Sequence, residues 1–234
     1  MSADYLALLL ADGRLPVGAH TQSAGVEPAF QAGLDLAQLP DYLAVRLCTV
    51  TEVEAATAVV ARHVWIGGSH AQVGASAAGP SRPDLRRREL IMVDAAWRAR
   101  TASDALRDAA DLLGRGYLRL GRRLWDLGEL DGRIWCRAVV VGVLAAEAGL
   151  DPRQAARLVG FDDVQTAISA ALKLAPFDPA SGVVWAVAAG QLVEAMVDRV
   201  AGVTGADDIP AYAAPQLEHW AQQHTFSERR LFRA

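Results

Sequence analysis

Apolar positions recur along most of this chain at intervals of three and four, and clean alternation of β-branched residues is scarce. That periodicity predicts helix after helix and few strands. A first helix begun at Asp4 should stop before Pro16, because the proline ring fixes its own φ and biases Leu15 away from the α region. A long segment from Pro40 to about Trp65 carries Tyr42, Leu43, Leu47, Val50 and Val53 near helical spacing. Helix resumes near Asp84 and runs through Trp97 and Leu106 to Leu113. Gly114 and Gly116 then invite a kink or a close helix contact, and the pattern continues from Tyr117 to Trp125. Asp131-Gly132 reads as a turn. Ile134 to Ala148 is almost wholly apolar and closes at Gly149. Asp151 offers an N-cap carboxylate to a helix with Pro152 at its first position, ending near Leu174. Ala175 to Pro179 is a rigid turn, Ser181 to Val200 is a second apolar helix, and Gly202 to Pro210 is a loop. A last helix spans roughly Ala213 to His224.

Two nearly all-apolar helices, 134–148 and 181–200, are expected at the centre, ringed by amphipathic neighbours. The fold class is therefore all-α: one helical bundle over residues 1–234 with about eight to ten helices. Burying one Leu or Val is worth roughly 1.5–3 kcal/mol, so such segments should fix the centre of the fold. The Gly-, Ala-, Ser- and Pro-rich stretch 67–83 lacks periodicity and reads as a flexible loop inside the domain. No fixed-period repeat is present.

Composition narrows the functional classes. The 234 residues are 52% apolar and 21% charged, with a net charge of -4, which gives no overall basic footprint for nucleic acid. Lys173 is the only lysine. Cys48 and Cys136 sit in apolar helical patterns, belong to no Cys-x-x-Cys unit and read as buried free thiols in a reducing, cytoplasmic setting. The start lacks a basic n-region, and no window of about 18 residues has the uninterrupted apolar character of a membrane span.

Candidate chemistry is sparse. His20, His63, His70, His219 and His224 form no His-x-x-x-His pair, so no tight metal site is expected. There is no phosphate-binding loop and no nucleophile elbow, so no catalytic residue is assigned. Glu52 and Glu54 lie on a helix and are read as solvated. Arg115, Arg119 and Arg122 form one stripe with Arg123 beside it. It reads as a solvated face, a docking face for an acidic protein, or a DNA contact.

Two short stretches stand out. Between Leu15 and Glu27, Gly18 permits a left-handed turn and Ser23 offers a hydroxyl to cap the next helix, with Glu27 one position beyond capping-box spacing. At the other end, His224-Thr225-Phe226-Ser227-Glu228-Arg229-Arg230-Leu231-Phe232-Arg233-Ala234 is a basic-aromatic tail. It is either an interface anchor or a segment folded back on its own core.

These stretches resemble the urease accessory protein UreF family. Pro16, Gly18, Ser23, Gly25 and Glu27 match its Pro-x-Gly … Ser-x-Gly-Leu-Glu signature in register, with Val26 for Leu and Gln22 where His is usual. His224, Arg230, Leu231 and Phe232 match its terminal His … Arg-Leu-Phe, with Ala234 for Ser. Gly114 and Arg115 match a Gly-Arg pair in the middle, Arg107 fits, Ala110 replaces a Ser, and Gly142 fits the apolar helix. The family's Arg-Leu-x-Pro-Leu-Gly-Gln is altered to Lys173-Leu174-Ala175-Pro176-Phe177-Asp178-Pro179, where only Pro176 of the last four is kept.

The resemblance implies a non-enzymatic, cytoplasmic scaffold. Such proteins dimerise, bind UreD (also called UreH), and recruit the GTPase UreG. They help deliver nickel to apo-urease, the metal being handled by the assembly and not held tightly by this chain. On that reading His224, Arg229, Arg230, Leu231, Phe232 and Arg233 form the UreD/UreH-docking element, with Phe232 as its apolar anchor, and no membrane or nucleic acid is involved. Two other classes stand beside it. One is a helical DNA-binding regulator using the arginine stripe, and the other a helical enzyme with an apolar pocket.

Overall fold

In the computed structural model, which describes residues 1–67, 81–227 and 230–232, ten α-helices and no strand occur among the described residues. They are α1 (Ala3–Leu10), α2 (Val26–Gln31), α3 (Leu39–Leu47), α4 (Val50–Trp65), α5 (Arg82–Ala99), α6 (Asp104–Gly121), α7 (Arg137–Glu147), α8 (Pro152–Leu174), α9 (Pro179–Val200) and α10 (Pro215–His224). The all-α architecture is as the periodicity predicts. Residues 68–80, most of the expected loop, lie outside the described residues.

The core is built on α4 and α7, which pack along each other, with α8 across α4, α6 on α7, and α9 against α8, α3 and α4. Every residue from Arg137 to Ala145 in α7 is buried, as its apolar sequence demands. The α4–α7 approach depends on Gly142: a Cβ there would stand 2.2 Å from the Ala58 carbonyl oxygen. Helix α6 continues unbroken through Gly114 and Gly116, and both are contact points. A Cβ at Gly114 would meet the Trp135 carbonyl oxygen at 2.1 Å, and one at Gly116 would meet that of Val17 at 2.1 Å.

Three expectations are corrected. The 40–65 segment is two helices, broken at Thr49, whose backbone leaves the helical region and whose hydroxyl donates back to the Val45 carbonyl at 2.6 Å. The segment from 84 to 113 is likewise two, because Ser103 caps a new helix by accepting from the Leu106 N–H. The third concerns α9, which is not central. Val183, Val184 and Val187 are exposed, at 65%, 64% and 73%. By length and composition α9 could cross a bilayer, contrary to the sequence expectation, and only 28% of its most apolar window is buried in the bundle. Its C-terminal half is dressed for water: Arg157 pairs with Glu194 at 2.5 Å and Arg153 with Asp198 at 2.6 Å.

The altered turn before α9 has a local purpose. Asp178 caps the helix by accepting from the Ala180 N–H at 3.0 Å, Pro179 occupies its first turn, and Phe177 packs on Trp185 with ring centroids 4.8 Å apart. Pro176 is exposed in this turn. Asp151 and Gln154 form the reciprocal capping box that starts α8.

Candidate functional site

The junction 16–27 is a series of tight turns. Gly18 has φ 91° and Gly25 φ 75°, both in the left-handed region, and Ala24 joins them at φ 50°. Gly25 is required twice. A Cβ there would be strained by φ and would sit 2.7 Å from the Tyr42 hydroxyl oxygen, which donates to the Ala24 carbonyl at 2.7 Å. Gly25 is the N-cap of α2, and Ser23 Oγ accepts from the Glu27 N–H at 3.4 Å. The Glu27 side chain does not return to complete a capping box.

It turns instead to the other end of the chain. Glu27 is buried, and its Oε1 accepts from the Leu231 N–H at 2.7 Å while its Oε2 accepts from the Phe232 N–H at 2.8 Å. His224 Nε2 lies 3.3 Å from Glu27 Oε2 and 3.4 Å from the Phe232 carbonyl oxygen. Both neighbours are acceptors, which assigns a proton to Nε2. The Phe232 ring is 5% exposed, with Lys173 Nζ 5.3 Å from its centroid. Of the two readings left open for the tail, folding back on its own core is therefore the one realised at Phe232 and His224. Leu231 and Arg230 face solvent. Arg229 and Arg233 lie outside the described residues.

Beside this clasp is a cavity of about 100 Å³ between α10, α6, α4 and α8, with Gln22 and Ala24 of the junction at its edge. Its floor is charged. Asp163 accepts from Arg46 Nε at 2.9 Å, from Arg46 Nη2 at 2.5 Å and from the Thr51 hydroxyl at 2.8 Å. Arg137 reaches Glu54 at 2.9 Å and Asp162 at 2.8 Å. Burial alone would raise the Asp163 carboxyl, but the Arg46 charge and the hydrogen bonds from Arg46 and Thr51 hold it below the usual carboxylate range. Burial prevails at Glu54 and Asp162, whose carboxyls are pushed up despite Arg137, and it raises the Tyr117 hydroxyl beside them.

The reading of both cysteines as buried holds for Cys136 but not for Cys48, which is exposed at the C-terminal end of α3. The reading of Glu52 and Glu54 as solvated is corrected, since Glu54 is half-buried on Arg137. Glu52 is buried and takes a bidentate pair from Arg199, at 2.9 and 2.6 Å, tying α4 to α9. Asp94 is a further buried anchor that spacing did not reveal. It accepts from Arg98 and Arg133 at 2.8 Å each and from the Cys136 N–H at 2.9 Å, which fixes the start of α7. The arginine stripe is partly engaged: Arg119 donates to the Pro16 carbonyl at 3.0 Å and Arg122 pairs with Asp131, while Arg115 and Arg123 remain exposed. No group of three or more His, Cys, Asp or Glu with metal-binding arrangement occurs among the described residues.

Fold and site together define a class: an all-α bundle whose two chain ends are joined through one buried carboxylate, next to an ion-paired cavity. Comparison with known proteins narrows it. The profile of the UreF family matches residues 34–191. The urease accessory protein UreF of Mycolicibacterium vanbaalenii is 34% identical over 236 residues, covering 99% of each chain, and that of Mycobacterium marinum is 34% identical over 240 residues with the same coverage. A third, from Mycobacterium sp. strain JLS, is 35% identical over 230 residues, 96% of each chain. The chain belongs to the urease accessory protein UreF family. The profile spans neither end motif, but the full-length relatives extend over both.

Proposed function

We propose that this chain is a non-enzymatic scaffold of urease maturation. It docks UreD/UreH through its C-terminal tail, pairs with a second copy of itself, recruits the GTPase UreG, and serves nickel delivery to apo-urease without holding the metal tightly. The observation that carries this reading is the joining of the two family motifs at Glu27, which holds the backbone of Leu231 and Phe232 while the Leu231 and Arg230 side chains are outward. The role of Phe232 changes accordingly: its pocket is in this chain, and it holds the tail in place while its neighbours meet the partner. Membership of the UreF family leaves the DNA-binding alternative without support.

Removing the residues after Gln223 should abolish co-purification with UreD/UreH while far-UV circular dichroism stays helical. Phe232→Ala should weaken the complex measurably, because a tail released from its pocket must be ordered at the moment of binding. Undiminished binding by the truncated chain would refute the assignment.

The outward face of α9 supports the pairing of two copies. Val183, Val184 and Val187 form an apolar patch over a half-helix without charge from Pro179 to Val193. Val187→Asp should convert a dimer to a monomer in sedimentation velocity without lowering the melting temperature. A dimer of unchanged affinity would exclude this face.

A further inference from the structure

We propose that the cavity between α4, α6, α8 and α10 binds a small neutral organic molecule with a primary-amide head and a compact apolar body. This site is separate from the surfaces assigned to partner proteins and does not rest on them.

The cavity has room for such a ligand. One water needs about 10–15 Å³ of such space, and about 100 Å³ is present, which admits about six heavy atoms. Much of the wall is apolar, formed by Trp97, Leu106 and Leu113 with Ala109 and Ala110. A buried water is held by two to four polar partners, and this wall supplies none.

The polar groups that line the cavity are incompletely paired. Gln22 is 6% exposed, and its amide makes one long contact, 3.4 Å from Nε2 to Thr21 Oγ1. Its side-chain carbonyl oxygen has no partner among the described residues. Glu54 and Asp162 each give one oxygen to Arg137, and the second oxygen of each is likewise unpaired there. Arg137 is buried, and its Nε finds no acceptor. Buried polar groups are rarely left so, because each lost partner costs free energy.

These groups define the head of the ligand. Three acceptor oxygens call for N–H donors, and the Arg137 Nε calls for an acceptor. A primary amide presents two N–H donors and a carbonyl oxygen in one plane. Charge balance selects a neutral head. The cations along the cavity are Arg46, Arg100 and Arg137, against the carboxylates of Glu54, Asp162, Asp163 and Glu218. Burial already pushes the Glu54 and Asp162 carboxyls up, so one proton on that pair cancels the excess negative charge without any ligand. A charged ligand would have to shed its hydration in the same surroundings, at a greater cost than an amide.

The test uses the full-length, ¹⁵N-labelled chain and three probes of one shape: isobutyramide, isobutyrate and isobutyramidinium. Isobutyramide should shift the Trp97 indole N–H resonance saturably, with a millimolar Kd. The anion and the cation should bind about tenfold more weakly or worse. Ala109→Phe, which fills the cavity from a half-buried position on α6, should weaken isobutyramide binding about tenfold or more without lowering the melting temperature. Gln22→Met keeps the side-chain length, removes the amide and adds nothing to the cavity, and should weaken it about threefold or more. Absence of a saturable shift with isobutyramide would overturn the proposal. So would equal or tighter binding of either charged probe, or undiminished isobutyramide binding in either folded variant.

Discussion

Asp163→Asn should be the most damaging single polar substitution in this protein, lowering folding stability by about 3–5 kcal/mol. The carboxylate is 5% exposed and is the partner of an Arg46 whose side chain is only 11% exposed. Asparagine keeps the shape but removes the charge and turns an N–H₂ group toward a guanidinium or the Thr51 hydroxyl, leaving a buried cation without its counter-charge. The urea midpoint reads the loss directly. A shift below 1 kcal/mol would mean that water reaches Arg46 and that the network is not a structural element.

The pH dependence follows with a definite sign. The Asp163 carboxyl is held below its reference value of 3.8 in the folded chain. Its contribution is therefore complete above the unfolded value and is lost as pH falls below about 4, through the lowered folded value. Glu54 and Asp162 run the other way, since their raised folded values favour the folded state once they are protonated. The native protein should lose stability in acid through Asp163 with part of that loss offset by the other two. In Asp163→Asn the Asp163 component should vanish from the stability–pH curve, and an unchanged acid limb would assign it to other groups.

The second large effect is expected at Gly142→Ala. On propensity alone, alanine in a helix interior is worth about 1 kcal/mol over glycine. Here the added methyl would lie 2.2 Å from the Ala58 carbonyl oxygen and 2.9 Å from the Ala61 Cβ. Neither is a flexible chain end, so α4 and α7 must separate along their shared length, and overpacking of this kind costs about 1–3 kcal/mol or more. Steric cost should win, with a net loss near 2 kcal/mol. Gly190→Ala in α9, compared in the Val187→Asp background so that pairing of copies does not enter, is the control: no atom of the chain lies within 4 Å of the new methyl, and the same change should stabilise by about 0.5–1 kcal/mol. If both variants behave alike in thermal melts, the close approach of α4 and α7 is not what fixes Gly142.

Local signals in the sequence were read well where the physics is local. The left-handed turn at Gly18, the cap at Asp151 and the buried run of α7 depend on neighbours within a turn or two, and each is found as expected. The breaks at Thr49 and Ser103 were missed because apolar spacing carries across a short interruption. The place of α9 was misjudged for a different reason: an apolar sequence states that a helix favours leaving water, but not which surface covers it. The candidate site was legible only as two unconnected motifs. Nothing in spacing links Glu27 to Leu231 and Phe232, or Arg46 to Asp163.

The sequence by itself determined that this chain is a helical bundle around an apolar α7, and, through its end motifs, which family it resembles. Hydrophobic periodicity and capping are short-range, so both are written into consecutive residues. Only the tertiary structure decided that the two ends meet, that Phe232 turns inward, and that Glu52, Asp94 and Asp163 are buried, and Glu54 half-buried, as partners of arginines and not solvated carboxylates. A carboxylate is stable in a core only when its counter-charge arrives from elsewhere in the chain, and that arrival is a property of packing.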